Sequence, residues 1–454
     1  MDYDLIVIGG GAGGMAAART AARMRRSVAL VQDGRIGGDC TFTGCVPSKT
    51  LIEAAAAGAA FDAAMRRVHD TIERIAATET ADVLRGEGID VIDGVASFRD
   101  HQRVRVDGRV ISAPKTVVAT GTAPVVPPID GLRDGRYLTN ETVWRLTELP
   151  ESVVVLGGGP IGCELAQAFA GFGVTVTVIE AADRLLVKEE REASDVIREV
   201  FKRDGIDVRL GLKAVQVRHP AAETVRVMLE DGSAIDAQWL LVAVGRAPVT
   251  EALDLDAAGV RRDERGFIAT DEHLATSVRG IYAVGDITGR LQFTHAADEM
   301  GRIAAVNALR WPMRMSFRAA TTPWVTFTHP EVARVGVTEA EAASDGARVA
   351  YLPMSDVDRA IAADETDGFV KLIAGPRGIL GHTGGGRVIG ATVIASRGGE
   401  MIHELALAAR TGMFTGRLAQ TVHAYPTWST AIRSAAAQFF FEFDGRKARD
   451  ARSD

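Results

Sequence analysis

The sequence predicts an α/β fold: two doubly wound units of the same design, followed by a third domain of different character. Three observations predict it. An apolar run, a glycine-rich turn and a helix-forming run follow one another from Asp4 to Met24, and the same succession returns from Ser152. From Thr321 the composition shifts to Pro, Thr and aromatic residues, and the α/β alternation fades. A chain of 454 residues also exceeds one ordinary core, and roughly three domains suits its length.

Composition narrows the function. The chain is 47% hydrophobic and 24% charged, as in ordinary soluble globular proteins. A net charge of −7 argues against nucleic acid or an anionic membrane as partner. No apolar run is long enough to span a bilayer. The opening Met1-Asp2-Tyr3-Asp4 carries neither the basic region nor the cleavage site of a signal peptide. Three cysteines do not make a disulfide scaffold, so a reducing cytoplasm is the expected location. No cluster predicts a structural metal.

Asp4 to Ile8 reads as a buried parallel strand. The glycines Gly9, Gly11 and Gly14 follow as G-x-G-x-x-G, opening a helix from Met15 to Met24. In that context the glycines allow a tight turn and close approach of a pyrophosphate to the helix N-terminus. The next strand, Ser27 to Val31, should end in an acid that binds a ribose; Gln32 stands there, followed by Asp33. Residues 50 to 88 read as mostly helical and Val91 to Val110 as short strands. Thr116 to Gly121 is another strand ending in a small-residue turn, Thr120-Gly121.

The second unit repeats the fingerprint with Gly157, Gly159 and Gly162. Its second strand, Val174 to Ile179, ends in Glu180. That acid suits the diol of an adenine ribose and repels a 2′-phosphate, favouring NADH over NADPH, although Arg184 nearby offers a phosphate some charge. Cys163 reads as a packing residue. Gly245-Arg246 forms the turn after an apolar strand and is assigned to the nicotinamide nucleotide. Gly285-Asp286 closes a further strand; an acid there suits either a polyol or a helix N-cap. Gly384 to Gly386 reads as a hairpin loop, and the charged tail from Asp444 to Asp454 is expected to be disordered.

The stretch from Gly37 to Lys49 holds Cys40 and Cys45, with four residues between them, just ahead of an alanine-rich helix. One distorted helical turn would bring the sulfurs within bonding reach. A helix N-terminus and a lysine favour the thiolate, the form that attacks disulfides and binds soft metals. Two structural cysteines in a helix would leave the same spacing. The surrounding units favour chemistry. Two dinucleotide sites and a pair of thiols suggest hydride transfer from a nicotinamide to a disulfide, each a two-electron couple, with FAD in the first site as relay.

These motifs resemble those of the class I pyridine nucleotide-disulfide oxidoreductases, the family of dihydrolipoamide dehydrogenase, glutathione reductase and mercuric reductase. The resemblance covers nearly the whole chain. It rests on Gly37-Gly38, Cys40, and Gly44-Cys45-Val46-Pro47-Ser48-Lys49. Ala119-Thr120-Gly121, Gly285-Asp286 and Thr328-His329-Pro330-Glu331 also carry it. It implies two Rossmann-type domains and an α+β dimerisation domain. The implied segments are an FAD-binding domain over 1–147, an NAD(P)H-binding domain over 148–268, an FAD return over 269–320 and the dimerisation domain over 321–454.

It further implies Cys45 as the thiol nearer the flavin and Cys40 as the interchange thiol. Lys49 and Glu164 would form the pair near flavin N5. Gly38, Thr120, Gly121, Asp286, Thr294 and Ala296 would contact FAD, Asp286 through the ribityl chain. A homodimer would share each active site between subunits.

One segment departs from the family's disulfide reductases. They carry a His before Pro-Thr near the C-terminus and a Glu five residues later, the acid–base pair of the thiols. Here Tyr425 and Thr430 fill those positions in His423-Ala424-Tyr425-Pro426-Thr427 and beyond. A phenol, with a pKa near ~10, stays protonated at neutral pH and shuttles protons poorly. Mercuric reductase resembles this chain there, since it too carries a tyrosine. His423 is a second candidate base, two residues off. Asp39 and Phe42 replace the usual small or amide residues inside the disulfide motif. The expected acceptor is therefore a soft metal ion, a quinone or an unusual disulfide. Two other readings are a dihydrolipoamide dehydrogenase serving a 2-oxo acid dehydrogenase complex, and a non-catalytic flavoprotein redox sensor.

Overall fold

The computed structural model describes residues 1–310 and 312–453. It separates into two compact units. The first comprises Met1–Pro128, Leu138–Leu149 and Val242–Ala319; the second comprises Ile129–Tyr137, Pro150–Leu241 and Ala320–Asp454. The chain thus returns to the first unit at Val242, where the sequence placed the return at residue 269. Among the described residues, no helix is long and apolar enough to cross a membrane.

The first unit is built on a five-stranded sheet in the order Ile281–Ala283, Thr116–Val118, Leu5–Ile8, Val28–Gln32, Asp90–Asp93. All four pairings are parallel. Leu5, Ile6 and Val7 are fully buried, as a central parallel strand covered on both faces requires. The helix Ala12–Arg23 covers one face with the long helix Thr294–Leu309 beside it. Leu5, Val7 and Val117 share one core with Met15, Ala18, Met300 and Ala304 of those helices. The region from 50 to 88 is helical and that from 90 to 112 forms short strands, as the sequence implies.

The second unit repeats the design in the order Asp207–Leu210, Thr175–Glu180, Ser152–Leu156, Trp239–Val242. It also holds a six-stranded antiparallel sheet in the order Trp324–Thr326, Glu331–Gly336, Arg387–Ala395, Phe369–Gly375, Arg348–Pro353, Arg449–Asp450. Gly384 to Gly386 lie in the hairpin connection between two of those strands.

The charged tail is not disordered, contrary to its composition. Arg449–Asp450 pairs as an edge strand with Arg348 and Val349. Arg446 reaches Asp356 at 3.1 Å, and Arg449 is ion-paired with Glu339. These two arginines have fixed acidic partners and the Arg452 N–H donates to Glu339, so the run of charge is a docked segment. Asp454 lies outside the described residues.

A buried ionic cluster ties the antiparallel sheet to the nucleotide-binding fold within this unit. Lys371 is 1% exposed, and its Nζ lies 3.1 Å from Glu190, 2.6 Å from Glu192 and 3.0 Å from Glu339.

Candidate active site

Both glycine fingerprints fold through the same steric device. A Cβ on Gly14 would lie 1.8 Å from the Gly9 carbonyl oxygen, and one on Gly162 would lie 1.9 Å from that of Gly157. Only glycine lets each helix pack that closely on its strand. The middle glycines differ: a Cβ on Gly11 would meet only Gly38 Cα, at 3.9 Å, and one on Gly159 would meet nothing within 4 Å. Open space thus remains in front of two helix N-termini, neither of which has a side-chain cap. Such termini present N–H groups and a positive dipole end to an anion.

The second-strand residues also match. The Gly10 N–H donates to Gln32 Oε1 at 2.5 Å, and the Gly158 N–H to Glu180 Oε2 at 2.6 Å. Gln32 donates in turn to the Asp33 carbonyl. Glu180 also accepts from the Ala182 N–H at 2.8 Å. The Arg184 guanidinium is spent on the carbonyls of Glu189 and Val187, at 2.9 and 2.7 Å.

In the first unit, Cys40 sits on the short helix Gly38–Phe42, and Cys45 begins the next helix, Cys45–Ala56. The thiols hydrogen-bond one another, and Cys45 Sγ lies 3.3 Å from Thr294 Oγ1. The neighbouring Cys45 and burial push the Cys40 thiol up, and Glu79 adds to this; Thr294 acts in the opposite sense. Lys49 stands one turn beyond Cys45 on the same helix.

Asp286 is inside a short 3₁₀ turn, Gly285–Thr288, rather than at a helix N-cap. Its carboxylate accepts from Thr122 Oγ1 at 3.1 Å, and burial raises it above the usual carboxylate range. Thr120 donates to the Val249 carbonyl at 2.7 Å, and the Gly121 carbonyl accepts from the Val249 N–H. Ala296 is fully buried, and the Phe293 and His295 rings stack at 5.8 Å. Gln292 Nε2 is buried without a hydrogen-bond partner, two residues before Thr294. The open turn at Gly11, the polyol-suited acid Asp286 and this orphaned donor fit FAD.

Gly245 accepts from the Val125 N–H, and Arg246 is engaged within the first unit, where the sequence had assigned both to the nicotinamide nucleotide. Arg246 donates to Thr122 twice, at 2.7 and 2.8 Å, and is ion-paired with Asp39 at 2.8 Å. Sequence reasoning missed the residues that hold the thiol helix. Trp144 Nε1 donates to the Thr43 carbonyl at 3.1 Å. Asn140 reaches Asp39 at 3.4 Å, and Thr41 donates to Glu79 at 3.1 Å. Asp39 itself, out of keeping with the motif, was the only signal.

In the second unit, Glu164 is buried and accepts from the Phe327 N–H at 2.9 Å. Cys163 is fully buried, as expected, and hydrogen-bonds the Gly158 carbonyl. Tyr425 is exposed and its hydroxyl donates to Asp358 at 2.8 Å; the hydrogen bond to that carboxylate raises the phenol. The Thr430 hydroxyl donates to the Thr427 carbonyl, within its own turn. Both ring nitrogens of His423 are engaged, by the Thr421 carbonyl and by Glu404, each at 3.0 Å.

Comparison with known proteins agrees with this geometry. The family model "Pyridine nucleotide-disulphide oxidoreductase" matches residues 3–301, and its dimerisation domain matches 322–436. A mercuric reductase of Streptomyces lividans is 36% identical, with 96% of each chain covered. A dihydrolipoyl dehydrogenase of Bacillus subtilis is 32% identical, again with 96% of each covered. The Cu(II) complex of the HOCl-induced flavoprotein disulfide reductase RclA from Escherichia coli superposes with a TM-score of 0.88. It is 30% identical, over 96% of this chain and 99% of that one. The chain therefore belongs to the class I pyridine nucleotide-disulfide oxidoreductases, FAD-dependent enzymes of the mercuric reductase and lipoamide dehydrogenase type.

Proposed function

We propose that this enzyme uses NADH to reduce a soft metal ion, with the electrons delivered through Cys40 and Cys45. FAD, when bound, supplies the two-electron relay between nicotinamide and sulfur. Gly11, Gln32, Asp286 and Thr294 hold it, with Lys49 at its reactive edge. Gly157, Gly159, Gly162 and Glu180 hold the nicotinamide nucleotide. The Glu180 carboxylate repels a 2′-phosphate, and Arg184, bonded to its own loop, does not offset that repulsion.

The observation that carries the choice of acceptor is Tyr425, a phenol bound to Asp358, where disulfide reductases need a proton shuttle. Reducing a disulfide requires a leaving thiolate to be protonated, and a phenol whose proton is held tightly does this poorly. A thiophilic metal ion makes no such demand. The dithiol gives up two electrons and two protons and closes to a disulfide. One Hg(II) becomes Hg(0), or two Cu(II) become Cu(I). The copper complex of the related reductase supports the same class of acceptor. Tyr425, exposed on its own chain, completes the thiol site of the partner subunit in a homodimer.

Purified holoenzyme with NADH is the test, using Hg(II), Cu(II), menadione, lipoamide and glutathione disulfide as acceptors. The metal ions should be turned over faster than either disulfide; preferential turnover of lipoamide would refute the proposal. Replacing Tyr425 by His should raise lipoamide reduction, by up to on the order of 10². If lipoamide turnover stays level in that variant, the phenol is not what limits it.

A further inference from the structure

The helix Gly38–Phe42, which presents Cys40, has five residues and no side-chain N-cap. So short a helix has no stability of its own in water. It starts after Gly37, whose φ of 129° only glycine adopts freely, and is followed by Gly44 before Cys45. Its position must therefore come from side chains elsewhere in the first unit.

Asp39 is the point where those side chains converge. One carboxylate oxygen meets the Arg246 guanidinium at 2.8 Å. The other accepts from the Thr43 hydroxyl and faces Asn140 Nδ2 at 3.4 Å. Arg246 is itself fixed: its side chain is 10% exposed, and it donates to the hydroxyl and the carbonyl of Thr122. It also lies 3.9 Å from Asp286. Burial and then the charge of Asp39 hold the Glu141 carboxyl above its usual range, while Arg246 and Arg145 act in the opposite sense.

We propose that the Asp39–Arg246 ion pair is a clasp that holds Cys40 against Cys45, with Arg246 as its positioning residue. This rests on reading those cysteines as the redox pair, but not on which acceptor they serve. Closing a disulfide depends on how much of the time the two sulfurs are within reach, and restraining a flexible segment raises that effective concentration. With the clasp gone, the glycine-flanked helix is free to swing Cys40 away. Neither residue touches the sulfur, so the effect is one of placement.

The test uses holoenzyme reduced with dithiothreitol, desalted, and mixed with diamide, which takes two electrons and two protons as the disulfide forms. Rapid quench and peptide mass spectrometry follow Cys40–Cys45 closure. Asp39→Ala and Arg246→Met should each slow closure by about tenfold, and the double variant by about the same factor, because each change breaks one shared contact. Arg246→Lys, which keeps the charge but not the fork, should lie between. Flavin content and melting temperature identify any variant that fails to fold, in which case Asp39→Ala and Arg246→Lys still decide the question. Unchanged closure in the single variants would overturn the proposal, as would losses that multiply to about a hundredfold in the double variant. Neither NADH nor a metal acceptor enters this assay. A failure of the metal-reductase reading therefore leaves it intact, and the reverse also holds.

Discussion

Cys40→Ala abolishes reduction of Hg(II) and of disulfides but leaves menadione reduction by NADH in place. A single thiol cannot close a disulfide, so the two-electron delivery through sulfur is lost with Cys40. The loss should be on the order of 10³-fold or more, the scale on which deleting a covalent nucleophile acts. Quinones need no sulfur relay, because they accept electrons from a reduced flavin. Steady-state rates with each acceptor in parallel measure the split. An equal fall in menadione reduction would show that quinones too depend on the thiols.

Lys371→Met should be the most damaging substitution outside the site. Its ammonium is nearly inaccessible and serves Glu190, Glu192 and Glu339 together. Glu190 and Glu339 are 5% and 8% exposed at the side chain. Removing the cation leaves Glu190 buried with the Glu339 N–H, and Glu339 with Arg449. Breaking a buried ion pair from one side costs on the order of 3–5 kcal/mol, because an uncompensated charge stays behind. Urea unfolding of the holoenzyme should show a lower midpoint of that scale. Replacing Glu190 and Glu339 by Gln in the same variant should recover much of it, since the stranded charges are then gone. A midpoint that does not move would mean that water or other groups already solvate the cluster.

The parts of the fold set by backbone sterics were legible in the sequence. Gly14 and Gly162 each meet a carbonyl oxygen at under 2 Å if given a Cβ, and that constraint announces itself as a glycine at a fixed spacing. Gln32 was readable for the same reason, since it stands where Glu180 stands in the second unit and receives the equivalent N–H. The tail was misread because composition reports how many charges a segment carries, not whether partners await them. Arg446 and Arg449 dock on Asp356 and Glu339, far away in sequence. The clasp between Asp39 and Arg246 was hidden for a similar cause. A motif shows that Asp39 is unusual, but only the chain's return to the first unit at Val242 brings a cation to it.

The central claim is that electrons pass from nicotinamide through flavin to the Cys40–Cys45 pair. Anaerobic titration of the purified holoenzyme with NADH tests it most directly, with absorbance followed across the visible range. Uptake of more than one hydride equivalent per flavin, with a long-wavelength thiolate–flavin band that is absent from Cys40→Ala and Cys45→Ala, is the predicted result. Full bleaching of the flavin at one equivalent, with no such band in the unaltered enzyme, would contradict it.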